Sequence, residues 1–409
     1  MREGRVLLLG VGRQGKAALY DLIRSEVVKE VIAADISSEA EEYVRGLKSS
    51  KVTFVRCDFK DERKLTELMR DVDLVLDLSS PQFAFNILKL AVMNEKHLVN
   101  AYYLIDPTSI TNPDRYQKLK EEVKRLDELA KDKNIIILPE FGLDPGIDLV
   151  LAGQAIKELD EVHELYTYGA GIPEPKAATT NPLKYKITWS FNGVLRSYKR
   201  PARVVRNGKV EIIPPTEIFS PKNCREVEIE GLGTLEVYPN GDAVEFAERF
   251  GILKTLKHAV RYSMRWPGHC EFWKKLVDLH FLDDALIKVG NVTVAPVEFL
   301  KALLEPQLQL RNDERDVVIL RVDVRGVKNS KRLRIVYQLI DYRDLNTGFT
   351  AMQRTTGFTA SIGAQMILRG DISRRGILFP GTDVPFDVLQ KELERRGIKI
   401  EHYMESLST

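Results

Sequence analysis

The first 150 residues alternate between short apolar runs and longer stretches with apolar residues three and four positions apart. The stretches predict amphipathic helices, including Gln14–Ile23, Ala84–Met93 and Tyr116–Ala130. The runs predict six strands, at Arg5–Leu9, Glu30–Asp35, Val52–Asp58, Val72–Leu78, His97–Tyr102 and Ile135–Pro139. Strands that are apolar almost throughout are covered on both faces, which indicates a parallel sheet between two layers of helices. The pattern predicts an α/β fold with a doubly wound parallel sheet of the dinucleotide-binding (Rossmann) kind.

After Pro145 the strands become longer and alternate between apolar and polar residues, and Asn207-Gly208 predicts a tight hairpin. Such strands are predicted at Tyr185–Phe191, Val317–Arg325 and Leu333–Tyr342. Helices are predicted at Ala243–Phe250, Cys270–Leu279, Pro296–Leu304, Thr356–Leu368 and Val384–Gly397. We therefore expect a second α+β domain with a mostly antiparallel sheet. The predicted ranges are 1–145 for the first domain, 146–355 for the second, and 356–409 for a C-terminal segment that returns to the first.

The composition narrows the class of protein. Among 409 residues, 61 basic side chains face 59 acidic ones, so nothing favours nucleic acid or an anionic membrane as a partner. Hydrophobic residues make up 44%, which excludes a disordered chain, and no apolar run reaches the roughly 18 residues of a spanning helix. The three cysteines form no CxxC motif, so we expect no metal, and their odd, sparse count suits the cytoplasm. A cytoplasmic enzyme with a small-molecule substrate is expected.

A glycine motif follows the first predicted strand and opens a helix. Its residues are Gly10, Val11, Gly12, Arg13, Gln14 and Gly15. In this arrangement the glycines allow a tight turn, approach of the backbone to a pyrophosphate, and close packing of helix on strand. Asp35 closes the second strand, where a carboxylate binds ribose hydroxyls and disfavours a 2′-phosphate. We expect NAD as the cofactor, with NADP left open because Arg13 could accept a phosphate.

Ligands of such sheets bind beyond the carboxyl ends of the strands. Ser79, Tyr102, Tyr103 and the stretch 141–146, with Leu143 and Asp144, follow three of these ends. We expect Ser79 and Leu143 to contact the cofactor. Asp144 is interpreted either as part of a hinge turn or as an acid directed at the ligand. Asp58, after the third strand, is either an adenine-side contact or the N-cap of the next helix.

Several longer segments are more specific than the glycine motif. They are GLDPGID at 142–148, NPLKYKITWSFNGVL at 181–195, RPARVVRNGKV at 200–210, YPNGD at 238–242, RWPGH at 265–269 and RGILFP at 375–380. With GVGRQG at 10–15 they span almost the whole chain. In them the sequence resembles the saccharopine dehydrogenase family, in its saccharopine reductase and lysine 6-dehydrogenase branch. The resemblance implies a Rossmann domain completed by a C-terminal segment, and a sheet-rich domain for substrate and for a homodimer. It also implies NAD(P)-dependent oxidation at a carbon–nitrogen bond of a lysine-derived amino acid.

The resemblance also assigns residues by position. Tyr102 and Tyr103 fall where family members contact substrate and nicotinamide, although the first of these positions is usually Ser. Asp144 falls on the family's substrate-contacting acid, and Arg265 on the arginine that holds a substrate carboxylate.

The side-chain chemistry fits these positions. Arg265 can bind a carboxylate through two hydrogen bonds, or it belongs to a structural ion pair. Asp144 can pair with an ammonium group. Asp144, Tyr103 and His269 are the catalytic candidates, and His269 is otherwise a structural hydrogen-bonding residue. Alternation along 184–187 predicts that Lys184 and Lys186 both face solvent.

Two substrates compete. Saccharopine carries three carboxylates and needs basic residues beyond Arg265, which Arg196, Lys199, Arg200 and Arg203 could supply unless they form a solvated face. Asp35 and the RWPGH segment look more like lysine 6-dehydrogenase. A carboxynorspermidine-type reductase is a third interpretation. A catalytically silent NAD-binding protein is the non-enzymatic alternative.

Overall fold

The apolar runs near the N-terminus form strands in the structure, a computed structural model that describes residues 3–407. Residues 1, 2, 408 and 409, which the predicted domain ranges include, lie outside the described residues. The chain divides into two units. Unit 1 runs to Gln154 and resumes over Gln353–Lys399, and unit 2 comprises Ala155–Met352 and the residues from Ile400 onward.

Strands and helices follow one another along the whole chain. The strands are β1 (Gly4–Leu9), β2 (Val28–Asp35), β3 (Val52–Arg56), β4 (Leu74–Asp77), β5 (His97–Asn100), β6 (Ile136–Leu138), β7 (Glu161–Pro173), β8 (Ala202–Arg206), β9 (Lys209–Ile213), β10 (Arg225–Ile229), β11 (Gly233–Pro239), β12 (His258–Arg265), β13 (Ile287–Val289), β14 (Val292–Val294), β15 (Asp316–Lys328), β16 (Lys331–Tyr342), β17 (Gly376–Ile377) and β18 (Ile400–Ser406). The α-helices are α1 (Arg13–Leu22), α2 (Ser38–Gly46), α3 (Glu62–Met69), α4 (Pro81–Met93), α5 (Pro113–Asp132), α6 (Ile147–Lys157), α7 (Pro175–Ala178), α8 (Phe191–Ser197), α9 (Ala243–Arg249), α10 (His269–Asp278), α11 (Pro296–Leu304), α12 (Ala351–Gln353), α13 (Thr359–Arg369), α14 (Pro380–Asp383) and α15 (Phe386–Arg395). Short 3₁₀ turns lie at Pro107–Thr111 and Pro215–Glu217, and a π-helical turn, Arg354–Phe358, precedes α13.

Unit 1 contains a seven-stranded sheet in the order β17-β6-β5-β4-β1-β2-β3, and its strand pairs are parallel. From β3 to β6 this is the strand order of a doubly wound dinucleotide-binding sheet. The strands stay parallel, and the order in which the chain adds them reverses between β1 and β4. Leu7, Leu8 and Leu9 are fully buried, as a strand covered on both faces requires. The α/β fold predicted for this part of the chain is confirmed.

Unit 2 contains a nine-stranded sheet with the main order β10-β11-β12-β7-β15-β16-β18, and the β8–β9 hairpin attaches to β12. Most neighbours pair antiparallel, while β12 and β7 pair in parallel. The predicted second α+β domain is confirmed. Its core is rich in aromatic side chains, among them Tyr198, Phe219, Tyr238 and Trp273.

The turn between β8 and β9 follows its local sequence. Asn207 and Gly208 both have positive φ, at 49° and 74°, which is the backbone of the two-residue turn that matches the twist of a hairpin. Arg206 pairs with Lys209 across it, so the predicted hairpin is confirmed.

Two predictions about unit 2 are wrong. The predicted strand Tyr185–Phe191 does not form, because the segment makes only an isolated bridge, between Ile187 and Gln309, and α8 already begins at Phe191. All four side chains of residues 185–188 are buried, so the alternation in the sequence does not mark one buried and one exposed face. The predicted return of residues 356–409 to the first domain is wrong for β18, which pairs with β16 in unit 2.

Candidate active site

The glycine loop of unit 1 is shaped by contacts that leave no room for side chains. Gly10 has φ +89°, and a Cβ there would lie 2.5 Å from the Leu78 carbonyl oxygen. A Cβ on Gly15 would lie 1.9 Å from the Gly10 carbonyl oxygen. Around Gly12, by contrast, a Cβ would meet nothing within 4 Å. Two glycines are thus required by the fold, and the third leaves open space at the start of α1.

That open space lies where a helix begins. Gly12 is the N-cap of α1 and has no side chain to cap it. Backbone N–H groups and the positive end of the helix dipole are therefore directed at a ligand in this position, which suits a phosphate. Arg13 is exposed beside it, and Gln14 is partly buried. The residues present fit the pyrophosphate of a dinucleotide.

Asp35, at the end of β2, is tied to the glycine loop. Its Oδ2 accepts a hydrogen bond from the Val11 N–H at 2.7 Å, and its Oδ1 accepts one from the Ser37 N–H at 2.9 Å. The carboxylate is therefore held next to the loop, where the ribose of a dinucleotide lies in such folds. Ser37 in turn caps α2.

Asp58 follows β3 and is exposed. Its Oδ1 accepts from the Lys60 N–H at 3.0 Å. The N-cap of α3 is Asp61, which accepts from Lys64, so the N-cap interpretation of Asp58 is wrong. Its adenine-side role stays a prediction.

The end of β4 holds a buried acid that was not predicted from the sequence. Asp77 is fully buried; its Oδ1 accepts from the Ser79 N–H at 3.0 Å, and its Oδ2 has no hydrogen-bond partner. Burial raises the pKa of Asp77 to about 6, against the lowering effect of the Ser79 hydrogen bond. Tyr102 donates its hydroxyl to the Ser79 carbonyl oxygen. Two predicted residues, Ser79 and Tyr102, are thus brought together next to the glycine loop. The only signal for Asp77 in the sequence was an acid closing an otherwise apolar run.

The GLDPGID segment divides its two acids between surface and core. Asp144 is exposed, while its neighbour Leu143 is 4% exposed. Asp148 is fully buried, and its Oδ1 accepts from the Gly146 N–H at 2.7 Å. Burial raises the pKa of Asp148 to about 7, although hydrogen bonds from the backbone act in the opposite direction. Asp148 therefore shapes the turn from inside, which leaves Asp144 as the acid that can meet a ligand.

Tyr103 is the remaining predicted residue of unit 1, and Gly142 lies in the turn that carries Leu143 and Asp144. Tyr103 is partly exposed just after β5. Gly142 is enclosed, since a Cβ there would lie 2.9 Å from the Ala101 side chain and 3.2 Å from that of Thr356. Thr356, from the π-helical turn, thus lies beside the carboxyl ends of β5 and β6. It was not among the predicted site residues.

In unit 2, Arg265 is a buried charge that lacks an ion-pair partner among the residues that the structure describes. It ends β12 and is 6% exposed. Nη1 donates to the Met264 carbonyl oxygen at 2.8 Å, and Nε has no hydrogen-bond partner. The guanidinium carbon lies 5.7 Å from the ring centre of Tyr185 and 5.8 Å from that of Tyr238. The predicted alternative of a structural ion pair is therefore not what the structure contains.

His269 joins Arg265 in the same aromatic surroundings. It is the first residue of α10, its Nε2 lies 3.0 Å from the Tyr198 hydroxyl, and its ring stacks on Tyr238 with centres 6.0 Å apart. Burial lowers the pKa of His269 well below its usual value, and the nearby Arg265 charge adds to this. His269 is therefore neutral at physiological pH. The aromatic partners Tyr198 and Tyr238 were not predicted, because they come from distant segments.

The other basic residues discussed in the sequence, which are two lysines predicted to face solvent and the four residues of the basic run, have varied surroundings. Lys184 is exposed, but Lys186 is 5% exposed and pairs with Glu314 at 3.3 Å, so the prediction that both face solvent is wrong for Lys186. Lys199 pairs with Asp284 at 2.5 Å and Arg203 with Asp242 at 2.7 Å. Arg196 is exposed, and Arg200 is partly exposed.

Two other kinds of site are absent from the part of the chain that the structure describes. Within residues 3–407, no group of three His, Cys, Asp or Glu side chains is arranged to hold a metal ion. Within the same residues, no helix has the length and apolar character needed to cross a membrane.

The strand order of the sheet and the form of the glycine loop place the chain in the class of dinucleotide-binding proteins. Family models place the chain more closely. The model described as Saccharopine dehydrogenase NADP binding domain matches residues 6–138, and the one described as Saccharopine dehydrogenase C-terminal domain matches residues 142–398. The chain belongs to the saccharopine dehydrogenase family, as the resemblance indicated, and is an NAD(P)-dependent enzyme acting on carbon–nitrogen bonds.

Similar proteins match over nearly their whole length. Saccharopine dehydrogenase (NADP(+), L-glutamate-forming) of Pyricularia oryzae is 27% identical over 469 residues, covering 98% of this chain and 98% of the relative. The protein of the same name from Schizosaccharomyces pombe is 27% identical, covering 97% and 98%. The apo saccharopine dehydrogenase (L-Glu forming) of Saccharomyces cerevisiae has a similar fold, with a TM-score of 0.80, 23% identity, and coverage of 99% and 100%.

Proposed function

We propose that this enzyme oxidises a lysine-derived amino acid at a carbon–nitrogen bond, with saccharopine as the first candidate substrate. The observation that carries the proposal is Arg265, a buried guanidinium whose Nε has no partner. Leaving a charge buried and unpaired is costly, so such a group calls for an anionic ligand. A substrate carboxylate supplies that anion, and a guanidinium binds it with two parallel hydrogen bonds.

The residues around Arg265 support this role. Tyr185 and Tyr238 line the guanidinium at cation–π distances, which stabilises the charge without neutralising it. His269 is neutral and, in our proposal, accepts a hydrogen bond from Tyr198 and so fixes that ring. A general-base role for His269 would require protonation of a group whose burial opposes it.

In unit 1 we propose that the glycine loop and Asp35 bind the dinucleotide. The nicotinamide, when bound, accepts a hydride from the substrate carbon that carries nitrogen. Asp144 is exposed, while the other residues of its turn are buried. We propose that Asp144 pairs with a substrate ammonium group and that Tyr103 contacts the substrate beside the nicotinamide. Tyr102 contributes by holding the Ser79 carbonyl group.

Saccharopine comes first because the curated relatives that match this chain end to end are named for it. Free lysine is the second candidate, and a specific observation favours it. Lys199 and Arg203, which could have met the additional carboxylates of saccharopine, already pair with acidic residues of this chain. A substrate with a single carboxylate would need only Arg265.

The experiment is a coenzyme-reduction assay, with NAD and NADP each tested against saccharopine and against lysine in separate reactions. Reduction with saccharopine alone supports the first candidate, and reduction with lysine alone supports the second. Absence of turnover with both, in a preparation that binds the dinucleotide, would contradict the proposed substrate class.

We also propose that the enzyme is a cytoplasmic homodimer. The sparse cysteines support the compartment, and an exposed apolar surface between residues 279 and 303 supports self-association. Fractionation of cells and the mass in solution test these two statements independently of the substrate assay.

A further inference from the structure

Glu140, just after β6, combines a left-handed backbone with a buried side chain. Within residues 3–407, nine residues other than glycine have a positive φ, and Glu140 is one of them at 58°. The other eight are exposed to solvent, whereas Glu140 is 2% exposed. A left-handed conformation is costly for a residue with a side chain, and so is burial of a carboxylate. Glycine would take this backbone at no steric cost, so the side chain is expected to make an interaction that the protein requires.

The left-handed conformation directs two successive N–H groups at the segment that follows β5. The Glu140 N–H donates to the Tyr102 carbonyl oxygen at 3.0 Å, and the Phe141 N–H donates to the Asn100 carbonyl oxygen at 2.8 Å. In a strand, successive N–H groups point to opposite sides, so a continued β6 could not make both bonds. The positive φ of Glu140 therefore joins the end of β6 to the residues after β5.

The side chain of Glu140 binds the same segment two residues further on. Its Oε1 accepts a hydrogen bond from the Leu104 N–H at 3.1 Å. Tyr103 lies between Tyr102 and Leu104, so Glu140 holds the backbone on both sides of Tyr103. Residues 101–106 belong to no helix or strand. The bonds to Glu140 thus give this segment the support that a ladder of backbone hydrogen bonds gives a strand.

Glu140 also leads directly into the turn that carries Asp144. Phe141 is fully buried and begins that turn, so the exposed Asp144 is attached to a fixed point. The bonds of Glu140 therefore set the position of Tyr103, after β5, relative to Asp144, after β6. Side chains on two loops that contact one substrate need a constant separation, since a misplacement of about 1 Å can lower the rate by about 10²-fold.

We propose that Glu140 is a positioning residue, which holds Tyr103 in place relative to Asp144 through its bonds to Tyr102 and Leu104. The proposal rests on the proposed function in one respect, the assignment of Tyr103 and Asp144 to the substrate. Glu140 acts through these residues and makes no contact with the substrate itself. The bond to Leu104 requires an oxygen acceptor, which an amide supplies as a carboxylate does.

Two variants at this position separate the hydrogen bond from the backbone conformation. Glu140→Gly removes the acceptor and suits a positive φ, so it should remain folded. Glu140→Gln keeps an oxygen acceptor. For the amino acid that the wild type oxidises, kcat/KM should fall by roughly 10- to 100-fold in Glu140→Gly, mainly through kcat, because the reacting geometry is disturbed. Glu140→Gln should stay close to the wild type, and both variants should bind the coenzyme as the wild type does.

Glu95 provides the matched control in the same unit. Its φ is 60°, it is exposed just after α4, and its carboxylate pairs with Lys133 at 2.9 Å. It precedes β5, so it lies beyond the opposite end of that strand from Tyr103. Glu95→Gly removes a glutamate from the same backbone conformation, and it should leave the kinetics and the coenzyme affinity unchanged.

Hydrogen exchange followed by mass spectrometry tests the positioning without a substrate. Residues 102–105 should exchange faster in Glu140→Gly, because the Leu104 N–H has lost its acceptor, and at the wild-type rate in Glu140→Gln and Glu95→Gly. The proposal is overturned if Glu140→Gly does not fold, if it is as active as the wild type, or if Glu140→Gln is equally defective. If the wild type oxidises neither saccharopine nor lysine, the proposed function fails, and the exchange rates alone then decide the role of Glu140.

Discussion

The glycine loop of unit 1 and the Arg265 cluster of unit 2 are both suited to bind an anion, but different interactions would hold the anion at each. The loop offers neutral backbone N–H groups and a helix dipole. The residues it can contain are restricted by steric contacts, because a Cβ on Gly10 or on Gly15 would lie within 3 Å of backbone atoms. The cluster offers the full positive charge of Arg265, which is buried among aromatic rings. Anion binding there depends on that charge. The first site is therefore sensitive to added atoms, and the second to a change of charge.

The largest effect should come from adding an atom to the loop. Gly15→Ala would place a Cβ 1.9 Å from the Gly10 carbonyl oxygen, which the backbone must move to accommodate. We expect the variant to lose dinucleotide binding. We also expect its free energy of unfolding to fall by about 3 kcal/mol, which is at the upper end of the usual cost of overpacking. Isothermal titration with NAD and NADP, together with thermal unfolding, measures both.

Gly12→Ala is the matched control, because its Cβ has open space in the chain itself. It should unfold like the wild type while binding the dinucleotide more weakly, since the added methyl group occupies the approach to the phosphates. Equal destabilisation by both variants would show that the loop is limited by something other than the Gly15 contact.

The second site is tested by removing its charge. Arg265→Met should raise KM for the amino-acid substrate by about 10²-fold, because hydrogen bonds to charged groups contribute about 1.5–3 kcal/mol. It should not lower the unfolding temperature, since an unpaired buried charge does not stabilise the fold. Steady-state kinetics and thermal unfolding on the same preparation give the two results.

Arg203→Met provides the contrast within unit 2. Arg203 is paired with Asp242 at 2.7 Å, and both side chains are largely buried. Its removal leaves a buried carboxylate unpaired and should cost about 3 kcal/mol of stability. If Arg265→Met destabilises the protein as much as Arg203→Met does, Arg265 is a structural residue.

Buried titratable groups in the two regions should respond to pH in opposite directions. The pKa of Asp148 is raised to about 7 by burial, so the folded state binds a proton that the unfolded state has released. Its contribution to stability is present at low pH and is lost as pH rises from about 4 to about 7. The pKa of His269 is lowered by burial, so its contribution is present above about pH 6.5 and is lost as pH falls below that value.

Asp148→Asn is the test of this contrast. Relative to the wild type it should gain stability as pH rises from about 4 to about 7, by on the order of 4 kcal/mol in all, which chemical denaturation across that range would detect. His269→Asn should change the profile only on the acidic side. A constant difference between wild type and Asp148→Asn at every pH would mean that Asp148 titrates in the folded state as it does in the unfolded state.

The smallest effect concerns coenzyme choice. Asp35→Ala removes a carboxylate held by the Val11 and Ser37 N–H groups. If that carboxylate binds ribose hydroxyls, NAD affinity should fall by roughly 10-fold, the loss of one charged hydrogen bond, while NADP affinity should stay the same or improve. Equal loss for both coenzymes would assign Asp35 to support of the glycine loop alone.

Local sequence determined the features that depend on neighbouring residues. The glycine spacing at 10–15 specifies its own turn and helix start, and Asn207-Gly208 specifies a hairpin because only such residues readily take positive φ at both positions. The apolar runs of the first 150 residues determined a parallel sheet. Strands that are apolar on both faces must be covered on both faces, and a parallel sheet between two layers of helices provides that cover.

Tertiary structure alone decided the features built from distant segments. Lys186 is buried because Glu314, more than a hundred residues away, pairs with it, and the alternation around it could not reveal that partner. The surroundings of Arg265 come from Tyr185, Tyr198 and Tyr238, which approach only when the core of unit 2 packs. Burial, and with it the pKa of a group such as Asp148, is a property of everything that surrounds the side chain, and no short stretch of sequence contains that information.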